Sequence, residues 1–178
     1  MLIDFGLVDV VSLETVNLKK PVLVTEANRF LSRACRQRIP AASRAGTKGF
    51  RAPEVLLRHQ NQTCAVDIWS AGMIFLCLLS GKYPISTPTD DLDALVEISQ
   101  LIGTRRLQEA AKNLDRDVVL PQDIVHSGWR SVLNKLEGRT DLEIDDCSLD
   151  LLNRLLDPDM YSRVTASEAL QHPFFSED

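Results

Sequence analysis

The chain has 178 residues, 44% hydrophobic and 25% charged, enough to bury a core in one domain or in one lobe of a larger domain. No apolar run approaches the roughly 20 residues of a bilayer span, Met1-Leu2-Ile3-Asp4 lacks the basic start of a secretory leader, and Cys35, Cys64, Cys77 and Cys147 show no CxxC spacing. A membrane protein, a disulfide scaffold and a zinc ribbon are therefore not expected, and a reducing compartment fits the cysteine usage.

The formal net charge of −5 is uneven: residues 1–60 carry ten Lys/Arg against five Asp/Glu, and the remainder ten against twenty. The basic stretch near residues 29–51 reads either as a contact surface for something anionic or as a solvated loop.

In chain order, Leu2-Ile3-Asp4-Phe5-Gly6-Leu7 predicts a strand running into a turn. A strand needs partners, so the expectation is a chain that starts within a domain or pairs with another polypeptide. Residues 8–45 are irregular and punctuated by Pro21 and Pro40. A short basic helix fits residues 25–38, with Phe30, Leu31, Ala34 and Cys35 on one side. In Gly46-Thr47-Lys48-Gly49-Phe50-Arg51-Ala52-Pro53-Glu54, two glycines three apart permit a sharp turn and a close approach. Pro53 and Glu54 then suit the first turn of a helix.

The stretch Asp67 to Gly81 organises the chain. From Ile68 to Leu79 only Ser70 and Gly72 are not apolar, which predicts a helix with no solvent face at the centre of the fold. Asp67 sits at its positive end, and Ser80-Gly81 stops it. Lys82 to Ile85 reads as an exposed turn. Thr87-Pro88-Thr89-Asp90 reads as a helix start with Thr87 as cap, and Leu92, Leu95, Val96, Ser99 and Ile102 keep helical spacing up to Gly103. A further helix is expected over 105–113, and mostly loop over 115–147. Ser148 is the expected cap of a helix that buries Leu149, Leu152, Leu155 and Leu156 and ends before Pro158. Thr165 and Glu168 form a capping box. His59, His126 and His172 stand alone and read as packing or surface residues, and Cys77 as a core residue.

Asp4-Phe5-Gly6, Gly46-Thr47 through Ala52-Pro53-Glu54, Asp67-Ile68-Trp69-Ser70-Ala71-Gly72, and the closing Arg163-Val164-Thr165-Ala166-Ser167-Glu168-Ala169-Leu170-Gln171-His172-Pro173-Phe174-Phe175 follow one another in an order and spacing that resembles the C-terminal lobe of a eukaryotic protein kinase. The implied fold is mainly α: a helical bundle around a buried central helix, with residues 1–178 forming a partial kinase domain and residues 8–45 an extended activation segment or insert. The resemblance also implies that Arg163 meets Glu54, and that Asp67 and Trp69 act structurally.

The detailed wording of residues 44–56, 61–76, 79–84 and 90–92 is similar to the cell division cycle 7-related kinases, which trigger DNA replication origins. That resemblance is faint between residues 104 and 147. It implies a nuclear Ser/Thr kinase that uses ATP and Mg2+, phosphorylates acid-flanked serines on replicative helicase subunits and takes an activating regulatory subunit. Direct nucleic-acid or membrane binding is not implied. Asp4 is the implied magnesium ligand, with Phe5 and Gly6 beside the nucleotide. Thr47 is implied to orient the catalytic base and the acceptor hydroxyl. Gly49, Phe50 and Arg51 line the acceptor site, and Arg44, Lys48 and Arg51 favour acidic or phosphorylated substrates.

There are departures. Only Cys35 lies between Asp4 and Glu54, so the zinc cluster of some family members is not expected. Phosphoryl transfer also needs a phosphate-binding lysine, a glycine-rich cover and a catalytic base. The sequence contains no His-Arg-Asp loop and no Gly-x-Gly-x-x-Gly, which predicts that the N-lobe and catalytic loop are absent and that the chain alone is inactive. A catalytically dead lobe that binds substrate or regulatory subunit is the alternative. A lobe of a cyclin-dependent or casein-kinase-two-like kinase is another, although the long stretch 8–45 counts against it.

Overall fold

A computed structural model of the chain describes residues 46–120, 122–136 and 144–176, and among these no residue lies in a strand. The strand expected at 2–7 and the helix expected over 25–38 lie outside the described residues.

Proline fixes the start of the first helix. Pro53 occupies its first turn, where a missing N–H costs nothing, and α1 runs Pro53–Leu56 with all four residues buried. Helix α2 spans Ala65–Ser80 and ends on Gly81 at φ 68, a left-handed cap that suits glycine. Its buried face carries Trp69, Gly72, Met73, Leu76, Cys77 and Ser80. The expectation of a helix without a solvent face needs correction: Ile74 is 53% and Leu78 71% exposed. Apolar composition all round permits burial all round, but the described residues pack against only part of the circumference.

Helix α3, Asp91–Ile102, begins three residues later than the sequence suggests. Its cap is Asp90, whose carboxylate accepts from the amides of Leu92 and Asp93. A carboxylate caps well and also complements the positive helix end, which leaves Thr87 outside. Helix α4, Thr104–Asn113, lies where expected, apart from one residue at its start. The region 115–147 is not all loop. It contains α5, Trp129–Lys135, which buries Trp129, Val132 and Leu133. Helix α6, Asp146–Leu155, is capped by Asp145, which accepts from the Ser148 amide; Ser148 is inside the helix rather than its cap. Helix α7, Ala166–Leu170, starts with the expected Thr165–Glu168 capping box, and a 3-10 turn over Pro173–Phe175 follows.

Packing centres on α2, which lies against α5 and α6, while α1 and α4 both pack on α3. The α2–α6 approach is close because position 72 has no side chain. A Cβ on Gly72 would come within 2.8 Å of Leu156 Cδ2 and 3.0 Å of Leu155 Cβ. The main core joins Leu57, Trp69, Met73, Leu76, Leu95, Ile102, Leu107, Leu152 and Leu156, each nearly or fully buried. Each such side chain contributes roughly 1.5–3 kcal/mol.

Candidate functional site

The exposed to half-buried loop 46–51 runs into the buried helix α1, which an ion pair anchors. Glu54, in α1, is fully buried and receives two hydrogen bonds from Arg163, at 2.7 and 2.9 Å. The remaining donors of the guanidinium are also used: Arg163 reaches the carbonyls of Ala65 at 2.6 Å and Asp157 at 2.7 Å. Its carbon lies 5.3 Å from the centre of the Trp69 ring, a cation–π contact. A buried ion pair holds only when its desolvated donors and acceptors are satisfied, and here carbonyls and an indole face complete the set. Glu54 and Arg163 therefore meet as the resemblance implies, with Trp69 against them. Asp67 lies exposed in the first turn of α2.

Above this anchor runs the loop Gly46–Arg51. It turns on a bond from the Phe50 amide to the Thr47 carbonyl at 3.1 Å. Gly49 has φ +85, and a Cβ there would stand 2.7 Å from the backbone oxygen of Ser86. Both the conformation and the space require glycine. The Phe50 carbonyl accepts from the Ser70 hydroxyl on α2 at 3.2 Å, and its ring is 6.1 Å from that of Tyr83. Gly49, Arg51, Ser86 and Glu97 line a small cleft with room for about one water molecule.

The basic residues of this loop are used unequally. Arg51 donates to the Gly46 carbonyl at 2.9 Å and to Asp91 at 3.4 Å. Asp91 also holds Arg58, at 2.6 Å. Arg51 thus ties the loop to the start of α3. Lys48 is exposed, and its ammonium donates to the Thr89 carbonyl at 3.3 Å. Thr47 is exposed beside it. Arg44 and the implied nucleotide and metal residues Asp4, Phe5 and Gly6 lie outside the described residues. Among the described residues no group of three His, Cys, Asp or Glu could hold a metal ion.

Two features were not foreseen. Asp91 pins both arginines, yet in the sequence it is only the second of two adjacent aspartates at a helix start. His172 is buried, donating from Nε2 to Asp150 at 3.0 Å and accepting at Nδ1 from the Phe174 amide at 3.2 Å. These bonds fix its tautomer and set Phe174 edge-on to Phe75, with ring centres 5.2 Å apart. The bond from His172, followed by the nearby Arg154, holds the Asp150 carboxyl below its ordinary range. Burial, then Arg116, pushes His59 down, and burial also lowers His126. Cys77 is buried, and that burial raises its thiol.

The protein kinase domain family profile matches residues 1–175. The chain is 45% identical over 136 residues to the probable serine/threonine-protein kinase cdc7 of Dictyostelium discoideum, a match covering 75% of this chain and 13% of that protein. It is 42% identical over 144 residues to the probable cell division control protein 7 homolog 1 of Encephalitozoon cuniculi (strain GB-M1), covering 76% and 39%. Against the cell division cycle 7-related protein kinase of Homo sapiens it is 32% identical over 206 residues, covering 79% and 36%. The chain spans less than half the length of these curated relatives. With the Glu54–Arg163 anchor, the glycine-shaped loop and the central helix in place, this chain belongs to the protein kinase domain family and is similar within it to kinases of the cell division cycle 7 type.

Proposed function

We propose that the chain is the C-terminal part of an ATP-dependent Ser/Thr protein kinase of the cell division cycle 7 type, acting in the nucleus at the initiation of DNA replication. Its acceptors are serines flanked by acids, on replicative helicase subunits, and an activating regulatory subunit accompanies it. ATP and Mg2+ supply the phosphoryl group and its charge neutralisation in the complete kinase, with Asp4 as metal ligand and Phe5 and Gly6 beside the nucleotide.

One observation carries the reading. The loop 46–51 packs closely at Gly49 against the Ser86 backbone, is tied to Asp91 by Arg51, and exposes Lys48. Catalysis of phosphoryl transfer is largely positioning and electrostatics, so a fixed loop bearing an exposed cation suits an acidic acceptor peptide. Arg44 extends the same basic stretch in sequence.

The test is a peptide assay with the complete protein. Serine peptides followed by acids should be phosphorylated with higher kcat/KM than proline-directed ones. Preference for a following proline rejects the assignment.

A further inference from the structure

We propose that Thr89 is a phosphorylation site, and that its phosphate clamps Lys48. This rests on the acid-directed reading above and names a means of regulating the same loop.

Thr89 is exposed and lies outside any helix, directly before Asp90, the cap of α3. It is not needed to start that helix. Asp90 alone accepts from the amides of Leu92 and Asp93, both at 2.9 Å. Among the described residues the Thr89 hydroxyl donates to the half-buried Asp93 carboxylate, one turn into α3. The residues that follow are Asp90, Asp91, Leu92 and Asp93, which place carboxylates at three of the next four positions. No other described hydroxyl is followed so densely by acids. Thr89 therefore carries, on this chain, the acceptor chemistry assigned to its substrates.

The surroundings determine what a phosphate does there. A second molecule of the kinase binds ATP, and Oγ1 of Thr89 attacks its γ-phosphorus. The Oγ1–P bond forms, the bond to the β,γ-bridging oxygen breaks, ADP departs and the hydroxyl proton goes to the acting kinase's base. The modified side chain can no longer donate to Asp93, and like charge repels it from that carboxylate. The Lys48 ammonium is already 3.3 Å from the carbonyl of the same residue. Phosphate accepts more strongly than a carbonyl, so the ammonium moves from one to the other. Lys48 is the exposed cation offered to acidic acceptors, so the clamp withdraws it from them. The site is thus autoinhibitory toward acid-flanked substrates in particular.

The test uses the complete protein with its regulatory partner. After incubation with ATP, phosphopeptide mass spectrometry should find phosphate on Thr89, and Thr89→Ala should lack it. Phosphorylated wild type should show KM raised about three- to fivefold for an acid-flanked peptide and unchanged for a neutral-flanked one. Thr89→Ala should keep its low KM through the same treatment, and in Lys48→Met phosphorylation should have no further effect on KM. Vigorous phosphorylation of the acid-flanked peptide with Thr89 unmodified overturns this inference and leaves the functional reading standing. If the acid-flanked peptide is not a substrate, the functional reading fails instead. Thr89 is then offered to an independent acid-directed kinase, where an unmodified residue overturns the inference and a modified one supports it. A phosphate on Thr89 that leaves both KM values unchanged overturns the clamp.

Discussion

The guanidinium of Arg163 grips the carboxylate of Glu54 through two hydrogen bonds across 109 residues of sequence, and neither side chain reaches solvent. Removing one partner strands a buried charge, at a cost of about 3–5 kcal/mol. Glu54→Gln and Arg163→Ala should each lower the unfolding free energy of the complete protein by that amount, read as a lower urea midpoint. Arg163→Lys should recover only a minor part, because an ammonium cannot make the paired bonds or span the carbonyls of Ala65 and Asp157. If Arg163→Ala unfolds at the wild-type midpoint, the anchor is not structural.

Two glycines are fixed by space. Gly49→Ala combines a left-handed backbone with a Cβ 2.7 Å from the Ser86 carbonyl, so it should cost roughly 1–3 kcal/mol and loosen the loop. Gly72→Ala forces α2 from α6 at Leu155 and Leu156, also at about 1–3 kcal/mol. The two should differ in function. The first should impair peptide phosphorylation even in the folded fraction, and the second should act through stability alone, as read by activity per folded molecule.

Lys48 and Arg51 should separate in the same way. Lys48→Ala should raise KM for acid-flanked peptides about fivefold with an unchanged melting temperature. Asp91→Ala should instead destabilise by about 1–2 kcal/mol, because it removes the shared partner of Arg51 and Arg58. A stability loss in Lys48→Ala, or none in Asp91→Ala, reverses the roles given to these residues.

The histidines set a pH dependence. Burial lowers His59 and His126 below the ordinary value of 6.5. The folded state then holds fewer protons on these rings than the unfolded chain below that value, so stability is complete above about pH 6.5 and declines as pH falls toward the folded values. Denaturant midpoints measured from pH 7.5 to 5.5 should fall, and His59→Gln should flatten part of the slope. A midpoint independent of pH across that window argues against both shifts.

Much of this lobe was legible because its signals are local or strongly patterned. The apolar run after Asp67, the Thr165–Glu168 box and Pro53 before Glu54 each specify their own helix, and the structure places all three. The Glu54–Arg163 contact is not local, and it came from resemblance rather than periodicity. Helix α5 was missed because its seven residues offer only Trp129, Val132 and Leu133 as a pattern, and Gly128 supplies no side-chain cap. The caps Asp90 and Asp145 were misplaced by a few residues because several competent capping residues stand in a row at each site. The tie from Arg51 to Asp91 was not legible for another reason. Asp91 lies 40 residues away, and no local pattern distinguishes a strut from an open cation.

The 109-residue separation of Glu54 and Arg163 bears on how the protein is made. A ribosome that has released α1 and α2 but not yet the segment carrying Arg163 holds a nascent lobe whose acid has no counter-ion. Final closure must then wait until that segment emerges.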